Sequence, residues 1–189
     1  MQGTEHTISR FLHMVRHIIV VIVLAAAFLT CPTDAPADLR AAASRKALPE
    51  VALTDSNGAS VNLSTYKGRV VLLDFWATWC EGCKEEIPWF MEFQDKYSKA
   101  GLTVVGASLD DDGWKSVKPF LHEHKINYRI VIGTFESAKQ FGVDKGMPVS
   151  VLIDRDGKIA DVHPGMVDRD TFEREIQTLL KEPAKNSAN

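Results

Sequence analysis

The chain has 189 residues, 45% of them hydrophobic and 25% charged, and its 22 basic and 25 acidic side chains give a formal charge of −3. These are ordinary globular values, which exclude a disordered or collagen-like chain, and the lack of a basic excess argues against nucleic acid as a partner. Three cysteines are too few for a disulfide-stapled scaffold, and one CxxC does not supply the four ligands of a structural zinc.

In chain order, Met1 to His17 is polar, carries Arg10 and Arg16, and has no acid after Glu5. Ile18 to Leu29 (IIVVIVLAAAFL) then runs without a charge. It is shorter than the ~20 residues of a spanning helix and fits the apolar core of a secretory signal. Met14 is a second candidate start. Ala35-Pro36-Ala37 resembles a cleavage site, Cys31 invites a lipoprotein reading, and Phe11, Leu12, Met14 and Val15 would lengthen the run into a retained anchor. Residues 1–31 are therefore expected to be a signal peptide or signal anchor that sends the protein to the periplasm or the outer face of the membrane. Three modes of attachment stay open. Residues 32–47, small and charged, read as a linker, 48–182 as one domain, and 183–189 as a tail.

Val51-Ala52-Leu53, the turn Asp55-Ser56-Asn57-Gly58 and Val61-Asn62-Leu63 predict a short β-hairpin. Arg69 to Trp76 (RVVLLDFW) is the continuous apolar run of a strand covered on both faces. Glu81 to Ala100 is helical, with Phe90, Phe93 and Tyr97 on one stripe, a kink expected at Pro88 and a stop at Gly101. A buried strand follows from Leu102 to Ser108. A helix then reaches about Lys125, followed by a strand from Tyr128 to Ile132 and a short helix from Phe135 to Phe141. Val149 to Ile153 and Lys158 to Val162 flank the turn at 154–157. Asp168 caps a last helix to Leu180. The order is that of an α/β domain with a largely parallel centre and an antiparallel edge.

Chemistry concentrates at Cys80-Glu81-Gly82-Cys83, where a buried strand meets a helix. A thiolate at a helix start is stabilised by free N–H groups and the helix dipole, and Cys83 lies one turn further in. The block Leu73-Asp74-Phe75-Trp76-Ala77-Thr78-Trp79-Cys80-Glu81-Gly82-Cys83-Lys84-Glu85-Glu86-Ile87-Pro88 is similar to the active-site segment of the TlpA/ResA-like thiol–disulfide oxidoreductases of the thioredoxin superfamily. The likeness extends through Val61–Gly68, Gly106–Ile132 and Phe141–Gly157. It implies a thioredoxin-like fold: a central mixed sheet flanked by helices, with an N-terminal β-hairpin and a helix-strand insertion.

The resemblance implies the following roles. Cys80 is the exposed nucleophile and Cys83 the resolving thiol, and the two form a redox disulfide. Trp79 flanks the pair, and Pro148 is a cis-proline that leaves the backbone of Met147 to pair with substrate. Asp74 matches the buried aspartate that takes a proton from Cys83, at a position where many relatives carry Asn. Glu86 matches a glutamate near the site, although Lys84-Glu85-Glu86 also reads as an ordinary charged first turn, so Asp74 ranks above it. Gly82 departs from the usual Pro and loosens the dithiol, while Glu81 disfavours the Cys80 thiolate.

No cofactor and no metal are implied. The expected partners are protein disulfides or thiols, with a membrane thiol transporter of the DsbD/CcdA type as electron donor and cytochrome c maturation or oxidase assembly as the setting. A monomeric domain is expected. Two other readings compete: a thiol peroxidase of the peroxiredoxin group, whose Thr-x-x-Cys and upstream Pro pattern is not matched, and a Sco-like copper protein using both cysteines and His163. The latter family spaces its cysteines by three, and His163-Pro164-Gly165 reads as an exposed loop.

Overall fold

The structure, a computed structural model, describes residues 39–184. The expectations for the leader, for Met14 and Cys31, for residues 32–38 of the linker and for most of the tail lie outside the described residues. Among the described residues, no helix is long and apolar enough to cross a membrane.

Among the described residues seven strands form one sheet: β1 (Lys46–Ala47), β2 (Leu53–Thr54), β3 (Val70–Trp76), β4 (Leu102–Ser108), β5 (Arg129–Gly133), β6 (Val149–Ile153) and β7 (Lys158–Pro164). Their spatial order is β1-β7-β6-β3-β4-β5-β2. Only the β3–β4 and β4–β5 pairs are parallel. The helices are α1 (Glu81–Tyr97), α2 (Trp114–His124), the single turn α3 (Phe135–Ala138) and α4 (Arg169–Lys181).

Period-two alternation on β3 feeds two cores. Val70, Leu72 and Trp76 face Cys83, Ile87, Phe90 and Phe93 of α1 and Phe172, Ile176 and Leu179 of α4. Val71, Leu73 and Phe75 face the opposite way, towards Leu53, Val61, Leu63 and Phe141. This is why β3 reads as an unbroken apolar run: every one of its residues is buried. Asp74 falls between Leu72 and Trp76, so its side chain belongs to the α1 face.

The inserted helix-strand is α2 and β5, and β5 extends the sheet in parallel beside β4. The expected hairpin is reduced to a Thr54–Ser60 bridge, with hydrogen bonds Asp55 N to Ala59 O of 2.9 Å and Val61 N to Leu53 O of 2.9 Å. Leu53–Thr54 pairs on its other edge with β5, and the chain enters a 3-10 turn at Leu63–Tyr66. The helix α1 continues through Pro88 to Tyr97.

Residues 39–47, assigned from composition to the linker, are part of the fold. The strand β1 pairs with β7, and Arg45 is buried. The Arg45 guanidinium donates to Asp154 Oδ2 at 3.1 Å and to Glu182 Oε2 and Oε1 at 2.6 and 2.8 Å. A planar, two-pronged cation of this kind clamps the beginning of the domain to two carboxylates from its later part.

Candidate active site

The site grows from the end of β3. Trp76 closes the strand, Ala77–Trp79 turn out of it, and Cys80 is the N-cap of α1. Asp110, just beyond β4, holds this turn. Its Oδ2 accepts from Thr78 N at 3.0 Å and from Ser108 Oγ at 2.8 Å, and its Oδ1 accepts from Thr78 Oγ1 at 2.6 Å. Asp110 reads in sequence only as one of three aspartates opening a helix; its partner lies 32 residues away, and nothing local signals the contact.

Cys80 Sγ accepts from Cys83 N at 3.3 Å, the role an N-cap oxygen normally plays. The two cysteines are joined as a disulfide with Cα atoms 5.3 Å apart. Cys80 retains 7% exposure and Cys83 none, so of the two residues only the first meets solvent. Trp79 stands beside them 65% exposed. The Met147–Pro148 peptide is cis. Met147 is half-buried and Pro148 buried.

Gly82 brings these parts together. A Cβ there would lie 3.0 Å from Met166 Sδ and 3.3 Å from Pro148 Cδ. The lack of a side chain therefore lets both residues close onto the CxxC turn. Met166 is 47% exposed and was not singled out in the sequence. Gly165 N donates to Pro148 O at 2.8 Å, which ties the Met166 loop to the proline.

Beneath the disulfide lies a buried polar belt. Asp74 is fully buried, and Glu86, one helical turn beyond Cys83, is 1% exposed. The expectation of an ordinary charged first turn therefore fails for Glu86. Lys84 instead pairs outward with Glu81 at 2.8 Å, while residues 83, 86, 87 and 90 form the buried stripe of α1. Burial first, then the Glu86 charge, push the Asp74 carboxyl well above the carboxylate range against the opposing influence of Ser150. Burial likewise raises Glu86 to about 7; the Val167 backbone and His163 oppose the rise, and Glu85 adds to it. Two buried acids that disfavour each other's charge do not both ionise at neutral pH.

His163 is not in an exposed loop. It lies on β7, its Nε2 sits 2.7 Å from Glu175 Oε2, and its ring packs edge-on against Phe172. Burial lowers its pKa, but the hydrogen bond to Glu175 and the charges of Glu175, Asp161 and Glu86 outweigh this, and the net direction is upward. A nitrogen engaged in this way does not match the free copper ligand that the Sco-like reading requires.

Comparison with known proteins bears on this geometry. The Redoxin family profile matches residues 42–180. The chain belongs to the Redoxin family. It is 30% identical over 135 residues to the thiol-disulfide oxidoreductase ResA of Bacillus thuringiensis subsp. konkukian, covering 71% of this chain and 77% of that one. With ResA of Geobacillus kaustophilus it shares 28% over 166 residues, covering 88% and 95%. Among solved structures, a protein designated thiol:disulfide interchange protein DsbE from Chlorobium tepidum superposes with a TM-score of 0.61 at 35% identity, over 72% of this chain and 96% of the other. A secreted thiol-disulfide isomerase from Corynebacterium glutamicum, at 23% identity, shares the fold with a TM-score of 0.68 over 82% and 97%. The expected thioredoxin-like fold and ResA-like membership both hold, and the chain is a thioredoxin-like thiol–disulfide oxidoreductase of the ResA/DsbE type carrying the Cys80–Cys83 pair.

Proposed function

We propose that this protein is an exported reductant of protein disulfides, with Cys80 as nucleophile and Cys83 as resolving thiol. The observation that carries the reading is the unequal burial of the two cysteines at the start of α1, 7% against 0%. In the reduced form the Cys80 thiolate, favoured by the helix start, attacks a client disulfide and releases one client thiolate. Cys83 then attacks Cys80 Sγ, closes the intramolecular disulfide and releases the second thiolate.

Asp74 serves as the base for Cys83, and Glu86 shares its proton. Trp79, Met147 and Pro148 form the client-binding surface, extended by Met166. An extended client segment pairs with the Met147 backbone, a mode in which main-chain hydrogen bonds provide affinity. The electrons come from a membrane thiol transporter of the DsbD/CcdA type. The clients are the cysteine pair of apocytochrome c or of an oxidase copper site, met by a monomeric domain at the outer face of the membrane.

Export is supported by the uncharged run of Ile18 to Leu29 behind Arg10 and Arg16. Thiol–disulfide exchange is favoured over peroxide reduction because Ala77 stands three residues before Cys80, where a thiol peroxidase of the peroxiredoxin group carries Thr. Trapping tests the reading. The full-length Cys83→Ala protein, expressed in the periplasm, should accumulate mixed disulfides through Cys80, and mass spectrometry identifies the client cysteines. Recovery of no covalent client, or trapping through Cys83 in a Cys80→Ala protein, overturns it. A fusion of residues 1–40 to alkaline phosphatase is expected to be active; an inactive fusion defeats export alone.

A further inference from the structure

The polar row under the dithiol does not stop at Asp74. Across the sheet, Asp74 on β3 stands opposite Ser150 on β6, and Ser150 opposite His163 on β7. On the other side Asp74 stands opposite Gly106 on β4. A Cβ there would meet Trp76 Nε1 at 3.0 Å and the Tyr128 ring at 3.2 Å. Two helices add carboxylates above this row, Glu86 from α1 and Glu175 from α4.

The buried side-chain polar atoms without a hydrogen-bond partner among the described residues belong to Asp74, Trp76, Glu86, Tyr128, Ser150 and Glu175. All lie on this belt. A region built only for packing would hold apolar side chains here, because an unpaired buried polar group is costly. The belt reaches solvent at one end. Glu175 Oε2 meets His163 Nε2 at 2.7 Å, and Asp161 Oδ2 lies 3.8 Å from the same nitrogen with its side chain 16% exposed.

We propose that His163 and Glu175 are positioning residues for the exchange reaction: their hydrogen-bonded pair, opened to water through Asp161, delivers and removes the proton that Glu86 and Asp74 handle for Cys83. This rests on the dithiol reading above. The titratable groups that act on Glu86 and Asp74 are Glu85 from α1, Tyr128 just before β5 and His163 from β7, while Asp161 from β7 and Glu175 from α4 face His163. Among these, His163 is the one cation, and its charge opposes the rise at Glu86.

The Cys83 sulfur attacks Cys80 Sγ; the Cys80–client bond breaks as the Cys80–Cys83 bond forms, and the client sulfur leaves as a thiolate with the electron pair of the broken bond. The Cys83 proton goes to Asp74. It passes through Glu86 to the His163–Glu175 pair and from there to water beside Asp161, while the client thiolate takes a proton from solvent. The dithiol is oxidised and the client disulfide reduced, with no further reagent.

The test is the pH profile, between pH 5 and 9, of mixed-disulfide resolution by the full chain, followed by acid-quenched flow. His163→Gln should move the midpoint upward by about 0.5–1 pH unit and slow resolution at pH 7 by about 3–10-fold. The attack of Cys80 should stay within about twofold. Asp161→Asn, at a partly exposed position that tolerates substitution, should move the midpoint the same way by less, and it carries the test if His163→Gln fails to fold. With His163→Ala, imidazole in the buffer should restore resolution in proportion to its concentration. A wild-type midpoint in both His163→Gln and Asp161→Asn, with only melting temperature changed, makes the pair structural and overturns the inference. Absence of any resolving step in the wild-type protein defeats instead the dithiol reading on which it rests.

Discussion

Replacing Glu86 by Gln should flatten the fall of stability with rising pH. Glu86 is raised from 4.5 to about 7, chiefly by burial. Its proton is therefore lost more readily from the unfolded chain than from the folded one. The stability this group contributes is complete below about pH 4.5 and is lost as the pH rises through about 7. At about 1.4 kcal/mol per pH unit, the loss approaches ~3 kcal/mol. In a domain of this size 1 kcal/mol corresponds to about 2–4 °C in melting temperature, so this group lowers Tm by about 6–12 °C between pH 4.5 and 8. Asp74 and His163, both raised, lose stability in the same direction.

A glutamine does not titrate. It leaves a buried amide that costs about 1–3 kcal/mol at every pH, so the slope is the diagnostic quantity rather than the absolute Tm. Thermal melts of the oxidised proteins at half-unit steps from pH 4.5 to 8, at constant ionic strength, give the comparison. The variant should gain on the wild type steadily across the range. Parallel curves would refute the reasoning, because Glu86 would then titrate alike folded and unfolded.

Three further outcomes are expected. Asp74→Asn should slow resolution of the mixed disulfide by about 10²-fold or more and leave the attack of Cys80 nearly unchanged, as acid-quenched flow separates the two steps; equal resolution rates would make Asp74 structural. Asp110→Ala removes the acceptor of Thr78 N, Thr78 Oγ1 and Ser108 Oγ, and should cost about 1–3 kcal/mol in urea unfolding while increasing amide exchange at residues 77–80; unaltered exchange there would dissociate Asp110 from the turn. Gly82→Pro fits the first turn of a helix but forces Met166 aside, so the protein should fold, with an altered reduction potential in glutathione titration and Met166 resonances shifted by NMR; unmoved Met166 signals would contradict the packing described.

Much of the fold was legible because its signals are local. An uninterrupted apolar run marks a strand covered on both faces, which Val70–Trp76 is, and Asp168 caps α4 through Thr171 N at 2.9 Å as its residue type predicts. The cysteine pair at the strand-to-helix junction announced the site for the same reason: its chemistry depends on four consecutive residues and the helix they begin. Burial of Asp74 followed from the apolar run around it.

Glu86 was ambiguous for a physical reason. A charged residue in a first turn reads alike whether it faces water or a sheet, and only the packing of α1 on β3 sends residues 83, 86, 87 and 90 inward. Tertiary structure also decided what composition misjudged. A segment of small and charged residues reads as a linker until Arg45 meets Asp154 and Glu182, 109 and 137 residues away. His163 is bland in sequence and becomes part of a buried row only because β6 and β7 pair in one register and α4 lays Glu175 over it. By itself the sequence determined where the cysteine pair sits, at the junction of a buried strand and a helix, since that signal is local. The fold decided which polar groups lie together beneath it, since that depends on cross-strand register and helix docking, and sequence adjacency encodes neither.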